Sequence, residues 1–181
     1  GLYYNAITHI MDDSHRSNTI KMDMPGWTKT GGANLSTFLQ WGDLKVNTKL
    51  ESVFTTERAE MTMYAPNAAP MFMLTWPDIR KSEYTASVGG EKMIGKNMKI
   101  LAGFWGAYNS SSIEDKLGLG EIKVFYPDFK GSDDRYIGGF YSGIKFYISE
   151  KLTAGFNYSN SKRSLSTSEQ YAFYIFNRID A

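Results

Sequence analysis

Soft-metal ligands recur at short, regular spacing in the first 73 residues of this 181-residue chain. His9 and Met11 stand two residues apart, and six of the nine methionines repeat that spacing. The three further pairs are Met22/Met24, Met61/Met63 and Met71/Met73. In an extended chain, residues i and i+2 project to the same side. Because thioethers prefer Cu(I), the spacing favours soft-metal handling, although methionine also fills irregular gaps where loops pack.

Large aromatic residues accompany the methionines and suggest a second kind of ligand. Trp27, Tyr64, Phe72 and Trp76 lie in or beside the same segments. Aromatic faces stack on bulky ligands, so these side chains would suit a metal chelate rather than a bare ion. Trp76 therefore joins the three methionine pairs as a candidate ligand-contact residue.

The composition excludes several other functions. The chain has no cysteine and two histidines, and neither histidine has an evident serine partner, so we expect no enzyme and no required cofactor. A formal net charge of +1 provides no large positive electrostatic potential that would attract nucleic acid. No apolar run approaches the roughly 18 residues of a membrane-spanning helix.

The elements that must position these residues are strands. Between Tyr136 and Tyr158, apolar and polar residues alternate with period two on both sides of a short polar turn at 149–151. Two strands of about ten residues fit a tilted membrane-spanning hairpin. A soluble β-sandwich remains an alternative, because periodicity alone does not distinguish lipid from a second sheet. In a membrane barrel, however, the apolar residues of this hairpin face outward with no protein above them.

The same pattern recurs along the chain. Further strands are predicted at 34–41, 44–54, 83–94, 98–109 and 170–179. The segment 117–126 also reads as a strand, but an extra spanning strand there would break the up-down alternation, so we expect it in an extracellular hairpin or an elaborated loop. Short turns at 42–43, 95–97 and 149–151 alternate with long connections at 55–82, 110–135 and 160–169. Short turns on one side and long loops on the other are typical of transmembrane barrels. We therefore predict an all-β, antiparallel transmembrane barrel segment with about eight spanning strands.

Three stretches resemble TonB-dependent outer-membrane receptors, especially those of Bacteroidota. One runs from Arg163 to Asp180, RSLSTSEQYAFYIFNRID, with Ser166 where such receptors carry proline. The others are MFMLTWPDIR at 71–80 and the THIMDD, MDMPG and TKTG pieces within 3–31. The resemblance implies a 22-stranded barrel around a plug domain. Residues 1–181 are then expected to be one barrel segment without the plug and the remaining strands.

The resemblance also implies a function and partners. The expected activity is active uptake across the bacterial outer membrane, driven by the TonB complex through the absent plug. Expected partners are membrane lipid and lipopolysaccharide, whose phosphates Lys162 and Arg163 could meet, and a surface lipoprotein. His9-x-Met11 resembles the His-x-Met-Asp of the copper-receptor branch, which implies half of a copper site with copper as substrate. The alternatives are a receptor for a siderophore, cobalamin or other chelate, and a complete eight-stranded structural or adhesive barrel.

Overall fold

The computed structural model describes residues 1–12 and 21–171, and within them seven strands form one antiparallel sheet. The strand order follows the chain, so each strand pairs with its sequence neighbours. The strands are β1 (Leu2–Asp12), β2 (Lys21–Trp41), β3 (Leu44–Tyr64), β4 (Met71–Ile94), β5 (Met98–Ile113), β6 (Ser132–Tyr147) and β7 (Thr153–Ser161). Two helices, α1 (Lys116–Phe125) and α2 (Thr167–Tyr171), follow β5 and β7.

Tight turns join the strands at one end of the sheet. Trp41 pairs with Leu44, which leaves a two-residue turn in which Gly42 has a φ of 56°. Gly95 begins the three-residue turn before Met98 with a φ of 63°. Side chains rarely tolerate such left-handed backbone, so glycine fits both positions. These turns confirm the hairpins predicted from the sequence.

The register divides the side chains into an apolar face and a polar face. Residues directly opposite each other share a face, so Leu50, Ala86 and Gly106 stand in one row and Glu51 and Thr85 in the next. The apolar face carries Leu35, Leu50, Val88, Phe104, Ile144 and Phe156. The polar face carries Asn34, Lys49, Glu51, Thr85, Asn109 and Asn157.

The apolar face has no protein above it in the part of the chain that the structure describes. Phe104 is 64% exposed and Phe156 73% exposed, while Phe146 retains 46%. A second sheet packed on this face would cover these rings, as in a sandwich. The outward-facing residues predicted for the Tyr136–Tyr158 hairpin are therefore confirmed, and the sandwich alternative is wrong.

A row of aromatic rings crosses the apolar face on four neighbouring strands. The centroid of Tyr84 lies 5.7 Å from that of Phe54 and 6.4 Å from that of Tyr108, and Tyr108 lies 4.9 Å from Tyr136. From the turn at Leu44 to Phe54 the strand rises roughly 33 Å. Tilted by about 40°, this gives an apolar band about 25 Å tall, the height found in transmembrane barrels.

The strands continue far beyond the aromatic row, which corrects the predicted loops. The segment 55–82, predicted as a connection, is largely paired strand in β3 and β4. Its polar residues alternate on an extended backbone, and their cross-strand pairing keeps the ladder intact. The predicted connection 110–135 likewise contains the ends of β5 and β6.

Of the two remaining segments that read as strands, one is helical and the other lies mostly outside the described residues. The segment 117–126 is almost entirely helical, since Asp115 caps α1 by accepting hydrogen bonds from the backbone of Leu117 and Gly118 at 2.8 and 3.0 Å. Gln170 belongs to α2, and the rest of the segment 170–179 beyond Tyr171 lies outside the described residues. The described sheet thus has seven strands rather than the expected eight.

Both helices lie at the end of the sheet away from the turns. Ile122 of α1 and Tyr171 of α2 pack with Ile79 and Ile113 of the polar face in one small apolar cluster. Trp76, Leu119 and Phe129 surround it. No helix in the described ranges is long and apolar enough to cross a membrane. The helices therefore cover the polar face where the strands project past the aromatic row.

Candidate functional site

The three methionine pairs come together on β2, β3 and β4, beyond the aromatic row. Met63 of β3 lies opposite both Met22 and Met71, and Met61 lies opposite Met73. Met24 falls opposite Met61, because the flanking pairs Gly26/Ala59 and Asp23/Thr62 fix the register between them. Six thioethers that are up to 51 residues apart in sequence thus form two rows on three adjacent strands.

All six methionines stand on the polar face. Met24 has the same parity on β2 as Thr30, whose hydroxyl lies 3.3 Å from that of Thr55 across the polar face. Along β3, Met61 and Met63 share the parity of Thr55. Cross-strand pairing then places Met71 and Met73 there too. We call these six residues the methionine grid.

A bulge in β4 keeps the methionine grid on one face. Glu57 pairs with Ile79, then Ala59 with Trp76, then Glu60 with Leu74, so β4 holds two more residues than β3 in this stretch. Each single-residue shift reverses the side-chain alternation, and the second restores it. Pro77, a residue that strands tolerate at bulges, and Asp78, with a φ of 34°, occupy the irregular segment.

Burial varies across the methionine grid. Met61 at its centre is 2% exposed, whereas Met71 at its edge is 50% exposed. Met22, Met24, Met63 and Met73 are half-buried. Neighbouring strands lie about 4.8 Å apart and i, i+2 residues about 7 Å apart, distances that flexible methionine side chains can span. Chemically, the grid offers sulfur donors that run from an open edge to a closed centre.

His9 stands beside the methionine grid on the polar face. It lies opposite Gly26, which in turn lies opposite Ala59, so small residues flank the imidazole. Met24 is its diagonal neighbour on β2, within reach of a long side chain. The backbone of Met11 pairs with that of Met24. The side chain of Met11 lies outside the described residues, so the shared His9–Met11 site stays a prediction.

The aromatic residues expected to stack on a chelate do not converge. Tyr64, Phe72 and Trp27 have the parity of the apolar face, opposite to the methionine grid. Trp76 pairs with Ala59 on the polar face and packs against the apolar cluster at Ile79. Within the described residues, no three His, Cys, Asp or Glu side chains group into a metal site. The candidate metal ligands that converge on the polar face are therefore the thioethers of the methionine grid.

The segment 162–171, which contains α2, folds back onto the polar face. Glu169 accepts hydrogen bonds from Arg163 Nη1 and from the backbone of Ser166, both at 2.7 Å. These bonds, the Arg163 bond foremost, lower the pKa of Glu169 to about 2. Gln170 donates to Asp133 at 3.1 Å. Arg163, predicted to meet lipid phosphates, is thus engaged within its own loop.

Sequence comparisons give no relative for this chain: no protein-family model matches it, and no curated protein does. A solved structure described as the copper transporter OprC superimposes with a TM-score of 0.66 at 17% identity. The match covers 85% of this chain and 25% of that chain, so this chain spans about a quarter of the length of the other.

The chain has the fold of a transmembrane β-barrel wall. Two further structures match at TM-scores below 0.5, too low to carry an argument. One is the open form of Fiu, the ferric-catecholate import receptor of E. coli K12, at 12% identity, covering 89% of this chain and 31% of that chain with a TM-score of 0.47. The other is OmpT, an outer-membrane protein of Vibrio cholerae, at 14% identity, covering 78% of this chain and 54% of that chain with a TM-score of 0.32.

The barrel-wall fold confirms the predicted fold class and agrees with the predicted place in the outer membrane. In a barrel of this fold, an apolar face is expected to meet lipid and a polar face to line the interior. Sequence reasoning missed the bulge that aligns the methionine grid. Its one sequence signal is Pro77, a proline inside an otherwise extended segment.

Proposed function

We propose that this barrel wall belongs to an outer-membrane receptor that takes up a soft metal ion, with Cu(I) preferred, by TonB-dependent transport. The observation that carries the proposal is the methionine grid. It gathers six thioethers on the interior face, above the aromatic row and at the end opposite the short turns. Barrels place short turns toward the periplasm and long connections outside the cell, so the grid lies on the extracellular side.

The chemistry of the grid suits capture and transfer rather than permanent storage. Thioethers are uncharged, soft ligands that select Cu(I) over the harder ions abundant outside cells. An ion bound at exposed Met71 can exchange toward buried Met61 through its neighbours, since every step is a replacement of one sulfur ligand by another. His9 adds an imidazole on the adjacent strand. Copper is thus substrate, and no resident cofactor or enzymatic step is involved.

Energised uptake rests on separate support. The stretches at 3–31, 71–80 and 163–180 resemble TonB-dependent receptors, and the copper transporter OprC shares the fold. In such a receptor, a plug inside the barrel connects to the TonB complex. The polar face, with ion pairs such as Lys49–Glu51 at 2.7 Å, would give a plug domain a hydrophilic surface to contact as it moves. Uptake of a siderophore, cobalamin or other chelate has less support, because Tyr64, Phe72 and Trp27 lie on the other face.

The test is Cu(I) binding by the full-length protein carrying this chain. Met24→Leu, Met61→Leu and Met73→Leu together replace sulfur donors by a side chain of similar volume, which preserves packing. We expect Cu(I) affinity to fall at least about tenfold, equivalent to 1.4 kcal/mol. Met98→Leu is the matched control, because Met98 pairs with Ile94 and Phe146 on the apolar face.

The outcomes separate the candidate substrates. Unchanged Cu(I) affinity in the triple variant would contradict the proposal. Loss of uptake for a ferric chelate, with Cu(I) binding intact, would instead favour the chelate receptor. Cu(I) binding without TonB-dependent uptake would support the metal site and contradict the proposed transport function.

A further inference from the structure

A shallow groove opens on the apolar face where small residues from neighbouring strands meet. Ala33, Ala86 and Gly106 form its floor, and a side-chain carbon added at Gly106 would have its nearest neighbour at 3.8 Å. Leu35, 64% exposed, and Leu50, 55% exposed, rise beside the floor. The groove has a volume of about 640 Å³. Its position within the apolar band opens it to the hydrocarbon of the membrane.

Two cations stand directly beyond the aromatic row on the same face. Lys29, Thr56 and Arg80 form one row across β2, β3 and β4, because Thr56 pairs with both of the others. All three are exposed, and the Arg80 side chain is 66% exposed. Thr56 is two residues past Phe54 of the aromatic row, a step of about 7 Å along the strand.

The level of this row matches that of lipid phosphates. Aromatic rings mark the membrane interface, and long cationic side chains just beyond it reach the headgroups. Arg80 contacts Glu114 loosely at 3.7 Å, which leaves its remaining donors for a ligand. Glu60 on the same face forms an ion pair with Arg58 at 2.7 Å.

We propose that the groove and this row bind a phosphorylated glycolipid of the outer leaflet, of the lipid A type. An acyl chain would lie in the groove over Ala86 and Gly106, beside Leu50. The phosphates would accept hydrogen bonds from Lys29 and Arg80, and the hydroxyl of Thr56 lies between the two. The site rests on the barrel fold and is independent of the metal proposed for the other face.

The spacing of the cations favours a ligand with two phosphates. Lys29 and Arg80 are two strands apart, which separates their backbones by about 9.6 Å. A diphosphorylated sugar headgroup can engage both cations at once, and a phospholipid with a single phosphate engages one. Charge-assisted hydrogen bonds from both ends would give the glycolipid its preference for this stretch of barrel wall.

The first experiment measures binding of defined lipids to the full-length protein after delipidation, by native mass spectrometry. The probes are diphosphoryl lipid A, fully dephosphorylated lipid A, phosphatidylglycerol and inorganic phosphate. Lys29→Gln with Arg80→Gln should weaken diphosphoryl lipid A about tenfold or more and leave the dephosphorylated lipid unchanged. Lys96→Gln with Lys151→Gln, at the short turns, is the control with the same change of charge and should have no effect.

A second variant tests the groove. Ala86→Leu fills the floor and should weaken binding of both forms of lipid A severalfold, whereas Val88→Leu, one step along the same face, should not. Equal lipid A affinity in the Lys29/Arg80 variant and the native protein would overturn the proposal. So would an equal loss in the turn-lysine control, equal binding of phosphatidylglycerol, or displacement of the lipid by millimolar inorganic phosphate.

Discussion

Arg58 on β3 donates a hydrogen bond from Nη1 to Oδ2 of Asp78 on β4 at 2.7 Å, across the point where the pairing of the two strands shifts. The backbone carbonyl of Asp78 also accepts from the backbone N–H of Glu114 at 3.0 Å. Both bonds hold the bulged segment of β4 in place. Since the bulge sets the side-chain alternation of Met71 and Met73, this pair of residues positions a third of the methionine grid.

Deletion of Asp78 should therefore damage the metal site more than any substitution there. Removing one residue leaves a single register shift, which turns Met71 and Met73 toward the apolar face. We expect the number of Ag(I) ions bound by the full-length protein to fall, as counted by elemental analysis after gel filtration. Asp78→Asn keeps the chain length and should retain the native count. A deletion variant with native Ag(I) content would contradict the register argument.

His9 and Met11 should act as metal ligands without supporting the barrel. His9→Ala with Met11→Ala is expected to lower Cu(I) affinity about tenfold or more and to leave the unfolding midpoint in urea nearly unchanged. His9 is exposed beside Gly26, so few packing contacts are lost. Thr8→Ala, next to His9 on the opposite face, is the control. Unaltered Cu(I) affinity would shift the substrate toward a chelate.

The hydrogen-bonded pair of Arg163 and Glu169, which we call the clasp, should break at low pH. Glu169 has an ordinary pKa of 4.5 and a folded value of about 2, lowered chiefly by Arg163. A lowered folded pKa means that the carboxylate stabilises the clasp fully above about pH 4.5, and this contribution is lost as the pH falls toward 2. Hydrogen-exchange protection of residues 162–171, corrected for intrinsic rates, should drop across that window.

Arg163→Gln should show the lowered protection already at pH 5, because the main cause of the pKa shift is gone. Lys162→Gln is the neighbouring control and should behave like the native protein. If protection in the native protein fell instead between pH 7 and 5, a group other than Glu169 would hold the loop.

The aromatic row should stabilise the barrel wall through the contacts between its rings. Tyr84 contacts Phe54 edge-to-face and stacks on Tyr108, and aromatic pairs contribute roughly 0.5–1.5 kcal/mol each beyond burial. Tyr84→Ala is expected to lower the free energy of unfolding in vesicles by about 1–3 kcal/mol. Tyr64→Ala, on the same face but far beyond the row, should have a small effect. Equal losses for the two variants would contradict a stabilising role for the ring contacts of the row.

Local chemistry explains why the hairpins were predictable from sequence. Gly42 and Gly95 are turn residues whose flanking strands alternate cleanly, so the pairing from the turns up to the aromatic row follows from short-range signals. The projecting parts of β3 and β4 escaped prediction because their polarity resembles that of loops. These segments form strands because β3 and β4 pair with each other, and such long-range pairing cannot be read from a local sequence pattern.

The candidate site was only partly predictable. The i, i+2 spacing correctly placed each methionine pair on one side of an extended segment. It could not show that Met61 faces Met73, because that register depends on two extra residues in β4 around Pro77. The segment 117–126 shows the converse error, since Leu117 and Leu119 alternate like strand residues while the side chain of Asp115 caps a helix.

Anomalous diffraction from crystals of the full-length protein soaked in Ag(I), a soft stand-in for Cu(I), tests the central claim most directly. We predict anomalous peaks within about 2.5–3 Å of methionine sulfur atoms in the grid, because soft ions prefer thioether ligands. At least one peak should lie within this distance of two of the three sulfurs of Met24, Met61 and Met73. Peaks confined to other parts of the barrel, with none at these sulfurs, would contradict the account.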